Sequence, residues 1–278
     1  MRISLGFSTC PNDTYMFDAM VNQRIDTQGF NFDIKMADIK ELNDMAFNKE
    51  LDVTKLSYHA YAYLREEYVL LHSGSALGSN CGPLLISREP IDPNTIKDLK
   101  VAIPGKHTTA NLLFSLAYPE AHHKQEMLFH EIEDAVLSGE VDLGLIIHEN
   151  RFTYQEKGLK KVLDLGEYWE GTYRLPIPLG GIVAKRSLGE KRIRQINQIL
   201  SKSVQYAFEF PAQSAAFVQE HAQEMKPEVL NQHISLYVNQ YSISLGETGR
   251  AAVNKLFDVA TAKGVIKGSD LPIFIKQE

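Results

Sequence analysis

The chain has 278 residues, 44% hydrophobic and 23% charged, which is enough to bury a large core and fits a division into two domains. A formal net charge of −6 and a pI near 5.9, with no basic block, argue against nucleic acid as a partner, because phosphate binding relies on clustered Lys and Arg. Two cysteines, Cys10 and Cys81, are too few for a disulfide scaffold or a zinc framework, and no apolar run reaches the length of a bilayer.

Met1–Phe7 carries one positive charge and no sustained apolar core, so it does not read as an export signal and a cytoplasmic location is expected. Arg2–Phe7 reads as a first strand and Ser8–Thr14 as a polar turn. Tyr15, Met16, Ala19, Met20 and Val21 then recur at helical spacing, with Asn12 or Asp13 as the expected cap. Phe30–Met36 predicts a second strand. Leu42, Met45, Ala46 and Phe47 mark a helix, and Leu51–Ser57 a third strand.

Gly82–Arg88 predicts an apolar strand that crosses to a second unit. There Val101–Ile103 leads into the polar turn Gly105–Asn111, which places Thr108, Thr109 and Ala110 at the start of an apolar helix. Leu143, Leu145, Ile146 and Ile147 form a near-continuous apolar run ending at His148, the pattern of a strand covered on both faces in a parallel sheet. Leu179–Ala184 predicts the return crossing. Beyond it Ile193, Ile196, Ile199, Leu200, Val204 and Phe208 make an amphipathic stripe. Pro211 and Pro227 break the helical run, and Ala251–Ala262 supplies a last helix.

Glu41–Ala60 aligns without gaps on Glu131–Asn150, with identities at Glu41/Glu131, Asp44/Asp134, Glu50/Glu140 and Asp52/Asp142. Apolar positions also coincide. This predicts two similar α/β units, each strand, helix, strand, helix, strand. The expected domains are residues 1–87 with 183–278, and an inserted 88–182. A cleft between lobes joined in this way is a natural ligand site.

His148 is the strongest single candidate for chemistry. It ends a buried strand, where ligands of α/β sheets collect, and a neutral imidazole can take a proton near neutral pH. The alternative is a histidine that pins a loop by hydrogen bonds. The 108–110 helix start favours a carboxylate or phosphate, or serves only as ordinary capping by Thr108 or Thr109. Lys55, Leu56 and Ser57 end the strand that mirrors the His148 strand; Ser57 could donate to a ligand oxygen and Lys55 could offset an acid. Local turn chemistry is the plainer reading there. Cys10 has no base near it in sequence and reads as packing, and His122–His123 as solvated surface. No cluster has metal-ligand spacing.

Several of these segments together resemble the 1,4-dihydroxy-6-naphthoate synthase family of the futalosine route to menaquinone. They are Ser8–Thr14, Thr54–Tyr58, Pro104–Ala110, Gly144–Glu149, Arg151–Tyr154 and Leu175–Gly180. The resemblance runs from the first strand to the last helix. It implies an α/β, two-lobed periplasmic-binding-protein-like fold of type II with a central cleft. It also implies a carbon–carbon lyase without a cofactor, acting on the small molecule cyclic dehypoxanthine futalosine. The family's proton acceptor falls on His148, and its substrate-contacting segments fall on Lys55, Leu56 and Ser57 and on Thr109 with Ala110. Thr108 and Asn12 are added from helix-terminus physics. A small-molecule receptor of the same fold and a chorismate dehydratase-like enzyme are the alternatives, and the oligomeric state is left open.

Overall fold

The computed structural model describes residues 1–148, 150–222 and 226–276; Glu149, which closes the Gly144–Glu149 motif, lies outside the described residues. Strand and helix first alternate as β1 (Arg2–Phe7), α1 (Pro11–Val21), β2 (Asn31–Met36), α2 (Ile39–Phe47) and β3 (Val53–Ser57). Helix α3 (Tyr58–Tyr63) and strands β4 (Tyr68–Leu70) and β5 (Ala76–Gly78) follow. Strand β6 (Leu84–Ser87) opens a second alternation of β7 (Val101–Ile103), α4 (Thr109–Ala117), β8 (Lys124–Glu126), α5 (Ile132–Ser138) and β9 (Leu143–Ile146). Next come α6 (Asn150–Thr153), β10 (Lys160–Asp164), α7 (Leu165–Tyr173) and β11 (Ile177–Lys185). The remainder is helical: α8 (Glu190–Glu209), α9 (Pro211–His221), α10 (Pro227–Tyr237), α11 (Gln240–Ile243) and α12 (Gly246–Ala262). Among the described residues no helix is long and apolar enough to cross a membrane.

One sheet runs β2–β1–β3–β11–β4 with β5 also on β11, and the other runs β8–β7–β9–β6–β10. In each, the first three strands are parallel. The next strand then pairs antiparallel, β11 on β3 and β6 on β9. Parallel neighbours require a crossover connection, and the helices between the strands supply it. The two halves therefore repeat in element order, as the alignment of residues 41–60 on 131–150 predicts, and also in strand direction.

The expected domain edges and the sheet memberships differ by a few residues. Leu84–Ser87 lies in the second sheet, although residues up to 87 were expected in the first unit. Ile177 to Ile182 lies in the first sheet, although expected in the insert. Both strands are continuous apolar runs, and such runs signal burial without saying which sheet receives them. Gly82 marks the first crossing, where its backbone presses on that of Gly166: a Cβ there would lie 2.1 Å from the Gly166 nitrogen. Replacing Gly82 with Ala is expected to lower the unfolding free energy by about 2 kcal/mol or more, because backbone must move; urea denaturation measures it, and an unchanged midpoint overturns this account.

Helices α1 and α8 close the outer face of the first sheet. Phe7 stacks on Phe17 at 4.5 Å between centroids, and Ser203 Oγ donates to Met16 O and accepts from Met20 N. The α8 stripe is buried through Ile193, Ile196, Ile199, Leu200 and Val204, but Phe208 is 43% exposed. Each four-residue step along a helix over-rotates by about 40°, so a run of them drifts off the core face and Ala207 packs in place of Phe208. Pro211 and Pro227 break the run by starting new helices, each standing in the first turn, where its missing N–H costs nothing. The C-terminal segment returns to cover edge strand β4, with Leu70 N donating to Ile273 O and Ile275 N to Leu70 O.

Candidate functional site

Segments that end or follow β1, β3, β7 and β9 line one cleft of about 630 Å³ between the two sheets. Its walls are mainly apolar with a few polar groups, the usual make-up of a small-molecule site. Of the residues expected to act, Asn12, Lys55, Ser57, Thr108, Thr109, Ala110 and His148 all line it. Leu56 does not. It is 1% exposed and packs in the hydrophobic core, because alternate side chains of a strand point to opposite faces and Lys55 and Ser57 take the cleft face.

His148 follows β9 in a left-handed turn with φ of +57°, a conformation uncommon for a non-glycine residue and concentrated at functional sites. Its ring is set edge-on against Phe129, 5.0 Å between centroids. Nδ1 lies 3.2 Å from the Sγ of Cys10, while the buried Nε2 meets no partner among the described residues. Cys10 is thus more than packing. The turn after β1 carries it to an imidazole 138 residues away, which sequence proximity could not reveal. The cleft also includes Cys81, whose thiol burial pushes up to about 12, leaving it protonated.

Neither Asn12 nor Asp13 caps α1. Cys10 occupies the N-cap position without a side-chain bond, and Pro11 starts the helix. Asp13 instead accepts from Ser8 N at 3.0 Å, Ser8 Oγ at 2.7 Å and Asn12 Nδ2 at 2.8 Å, and pairs with Lys55 Nζ. Asp13 is fully buried and Lys55 nearly so. The acid that Lys55 offsets is therefore Asp13, and the pair ties the β1 turn to the end of β3. Asn43 of α2 clamps Ser57: its Oδ1 accepts from Ser57 N at 3.1 Å and its Nδ2 donates to Ser57 Oγ at 3.1 Å. With Oγ accepting from Asn43, the hydroxyl hydrogen of Ser57 is left to donate into the cleft.

The start of α4 forms as the sequence predicts, with Thr108 as N-cap accepting from Asn111 N at 3.3 Å. Thr109 and Ala110 then head the helix, where backbone N–H groups lack intrahelical partners and the dipole is positive. Residues of α3 brace this turn: Tyr58 N donates to Thr109 Oγ1 at 2.9 Å, and His59 Nδ1 lies 3.2 Å from Thr108 O. Burial pushes the His59 imidazole down to about 4, outweighing that hydrogen bond. Above pH 6.5 the ring is neutral folded or unfolded. As pH falls from 6.5 towards 4, the unfolded chain gains a proton that the folded state refuses, and stability is lost. The loss from this group is expected to reach about 3 kcal/mol. Urea unfolding across that window checks it: His59→Gln should flatten the pH dependence, and an unchanged slope overturns the assignment.

Two further features escape sequence reasoning. Arg151, just beyond His148, donates to Gly82 O, to Asn80 O at 2.8 Å and to Asp164 Oδ2 at 2.7 Å, which locks the segment after His148 to the first crossing. His233 of α10, a helix with no motif to mark it, lines the cleft with both ring nitrogens unpartnered among the described residues. A histidine beside Tyr237 on an otherwise ordinary amphipathic helix carries no sequence signal of that placement.

A family model described as "Menaquinone biosynthesis" matches residues 3–262. The 1,4-dihydroxy-6-naphthoate synthase of Thermus thermophilus is 44% identical over 273 residues, covering 98% of this chain and 99% of that one. The protein of the same name from Streptomyces coelicolor is 44% identical over 269 residues, covering 95% and 94%. Among solved structures, a protein of Archaeoglobus fulgidus matches with a TM-score of 0.90 at 35% identity, over 95% of this chain and 98% of that one. The periplasmic aliphatic sulphonate binding protein SsuA of Escherichia coli matches with a TM-score of 0.67 at 12% identity, over 99% and 92%. That likeness concerns the fold alone, and it agrees with the two-lobed periplasmic-binding-protein-like architecture that the family resemblance implies. On the family match over residues 3–262 and the identities over nearly all of the chain, the chain belongs to the menaquinone-biosynthesis family that includes the 1,4-dihydroxy-6-naphthoate synthases.

Proposed function

We propose that this chain converts cyclic dehypoxanthine futalosine to 1,4-dihydroxy-6-naphthoate, as a carbon–carbon lyase with His148 as general base. The observation that carries the reading is the Nε2 atom of His148, buried at the cleft and without a hydrogen-bond partner among the described residues. A general base needs its lone pair where the substrate sits. For Nε2 to accept a proton, Nδ1 must bear the hydrogen, and Cys10 Sγ at 3.2 Å is placed to receive it. Cys10 in this reading selects the tautomer that leaves Nε2 basic.

Expelling a sugar-derived fragment leaves a ring system that becomes aromatic, so much of the driving force resides in the substrate. The protein supplies the base, donors for developing oxyanions and a site that excludes water. Ser57 Oγ and the amides at Thr109 and Ala110 hold the substrate's carboxylate or sugar oxygens, with Asn12, Lys55 and Thr108 shaping the floor. Residues on either side of the crossings near Gly82 and Pro176 act as two lobes that close on the substrate. The test is to incubate purified protein with cyclic dehypoxanthine futalosine and look for the naphthoate by mass and ultraviolet absorption. Conversion is the expected result, and unchanged substrate overturns the reading. The fold is also that of solute-binding proteins, and a receptor would bind the substrate without converting it.

A further inference from the structure

Helix α10 brings a second imidazole to the cleft. His233 is 1% exposed, and neither Nδ1 nor Nε2 has a partner among the described residues. Its ring is held by packing, 4.6 Å from Tyr237 and 6.4 Å from Phe152 between centroids. Buried polar atoms in folded proteins are ordinarily hydrogen-bonded, and a group that is not calls for an explanation. The other buried histidines each make at least one hydrogen bond: His59 Nδ1 reaches Thr108 O, and His72 Nε2 reaches Ile275 O at 3.1 Å, although its Nδ1 has no partner among the described residues. His233 departs from that pattern, and it is the one of the three that lines the cleft.

Its chemical character follows from its surroundings. Burial holds the ring far below the ordinary histidine range, and the nearby His148 and Lys55 add to the effect. It is therefore neutral and offers one N–H donor and one acceptor nitrogen. A carboxylate or phosphate only accepts, so it would satisfy the N–H and leave the acceptor nitrogen without a partner. Hydroxyl groups, which both give and receive hydrogen bonds, suit either nitrogen. α10 packs on α1 and β5 of the first sheet, whereas His148 follows β9 of the second. The two imidazoles thus reach the cleft from opposite halves.

We propose that His233 is a substrate-contacting residue that binds a hydroxyl of the polyhydroxylated, sugar-derived portion of the substrate, opposite His148. This rests on the function proposed above and adds the group that grips the leaving portion.

The test uses the whole chain carrying His148→Asn, which is expected to slow turnover, with ring-15N-labelled histidine and cyclic dehypoxanthine futalosine as the probe. The His233 nitrogen resonances, identified by their loss in His148→Asn/His233→Phe, are expected to shift as substrate saturates. By calorimetry the His233→Phe double variant should bind about tenfold more weakly than His148→Asn, and a His233→Gln double variant, which keeps a donor and an acceptor, should recover most of that loss. The Gln double variant identifies the same resonances by their loss, so the nitrogen shifts report even if the Phe variant fails to fold. Unmoved resonances, or affinity of the Phe variant within about twofold of His148→Asn, overturn the proposal. If the unsubstituted protein neither binds nor converts the substrate, the functional reading itself has failed; if it converts the substrate and His233 proves indifferent, this inference alone has failed.

Discussion

Replacing His148 with Asn is expected to lower turnover of cyclic dehypoxanthine futalosine by about 100-fold or more while leaving substrate binding measurable. Asn keeps a polar side chain at the end of β9 but cannot take up a proton, so under the proposed function binding through Ser57 and the α4 start should persist while proton removal is lost. The left-handed backbone at φ of +57° also tolerates Asn better than most residues, which limits any effect on folding. Single-turnover and calorimetric measurements separate the two quantities. Turnover within about tenfold of the parent would remove His148 from the base role. A Cys10→Ala variant should give a smaller loss through kcat, since Cys10 Sγ lies 3.2 Å from His148 Nδ1 and Cys10 is not among the residues lining the cleft.

Asp13→Ala is expected to have the largest effect on stability. The substitution removes the acceptor of Ser8 N, Ser8 Oγ and Asn12 Nδ2 and leaves the Lys55 ammonium buried without its counterion. Breaking one side of a buried ion pair costs about 3–5 kcal/mol, a large part of the total stability of an ordinary domain. Urea unfolding measures it. Adding Lys55→Met to Asp13→Ala should recover about 1 kcal/mol or more, because the stranded charge is then gone. An Asp13→Ala loss below about 1 kcal/mol, or no recovery in the double variant, would show that the pair is not what holds the β1 turn against β3. Because that turn also presents Cys10 to His148, turnover should fall along with stability.

The elements of this protein that write a local period into the chain are legible without coordinates. The apolar run ending at His148, a threonine cap at 108 or 109 on α4 and the matched halves at 41–60 and 131–150 all follow from side-chain spacing, whereas the order of strands within each sheet is set by the tertiary structure. Proximity between distant segments is not written locally. Cys10 reaches His148 across 138 residues, and Lys55 reaches Asp13 across 42. Asn43 clamps Ser57 only because α2 packs back on β3, and His233 enters the cleft only because α10 lies against the first sheet. The pattern of a strand or helix fixes which face is buried. Which residue from another element meets that face depends on how the two sheets and their helices pack, and that packing turns isolated candidates into a site.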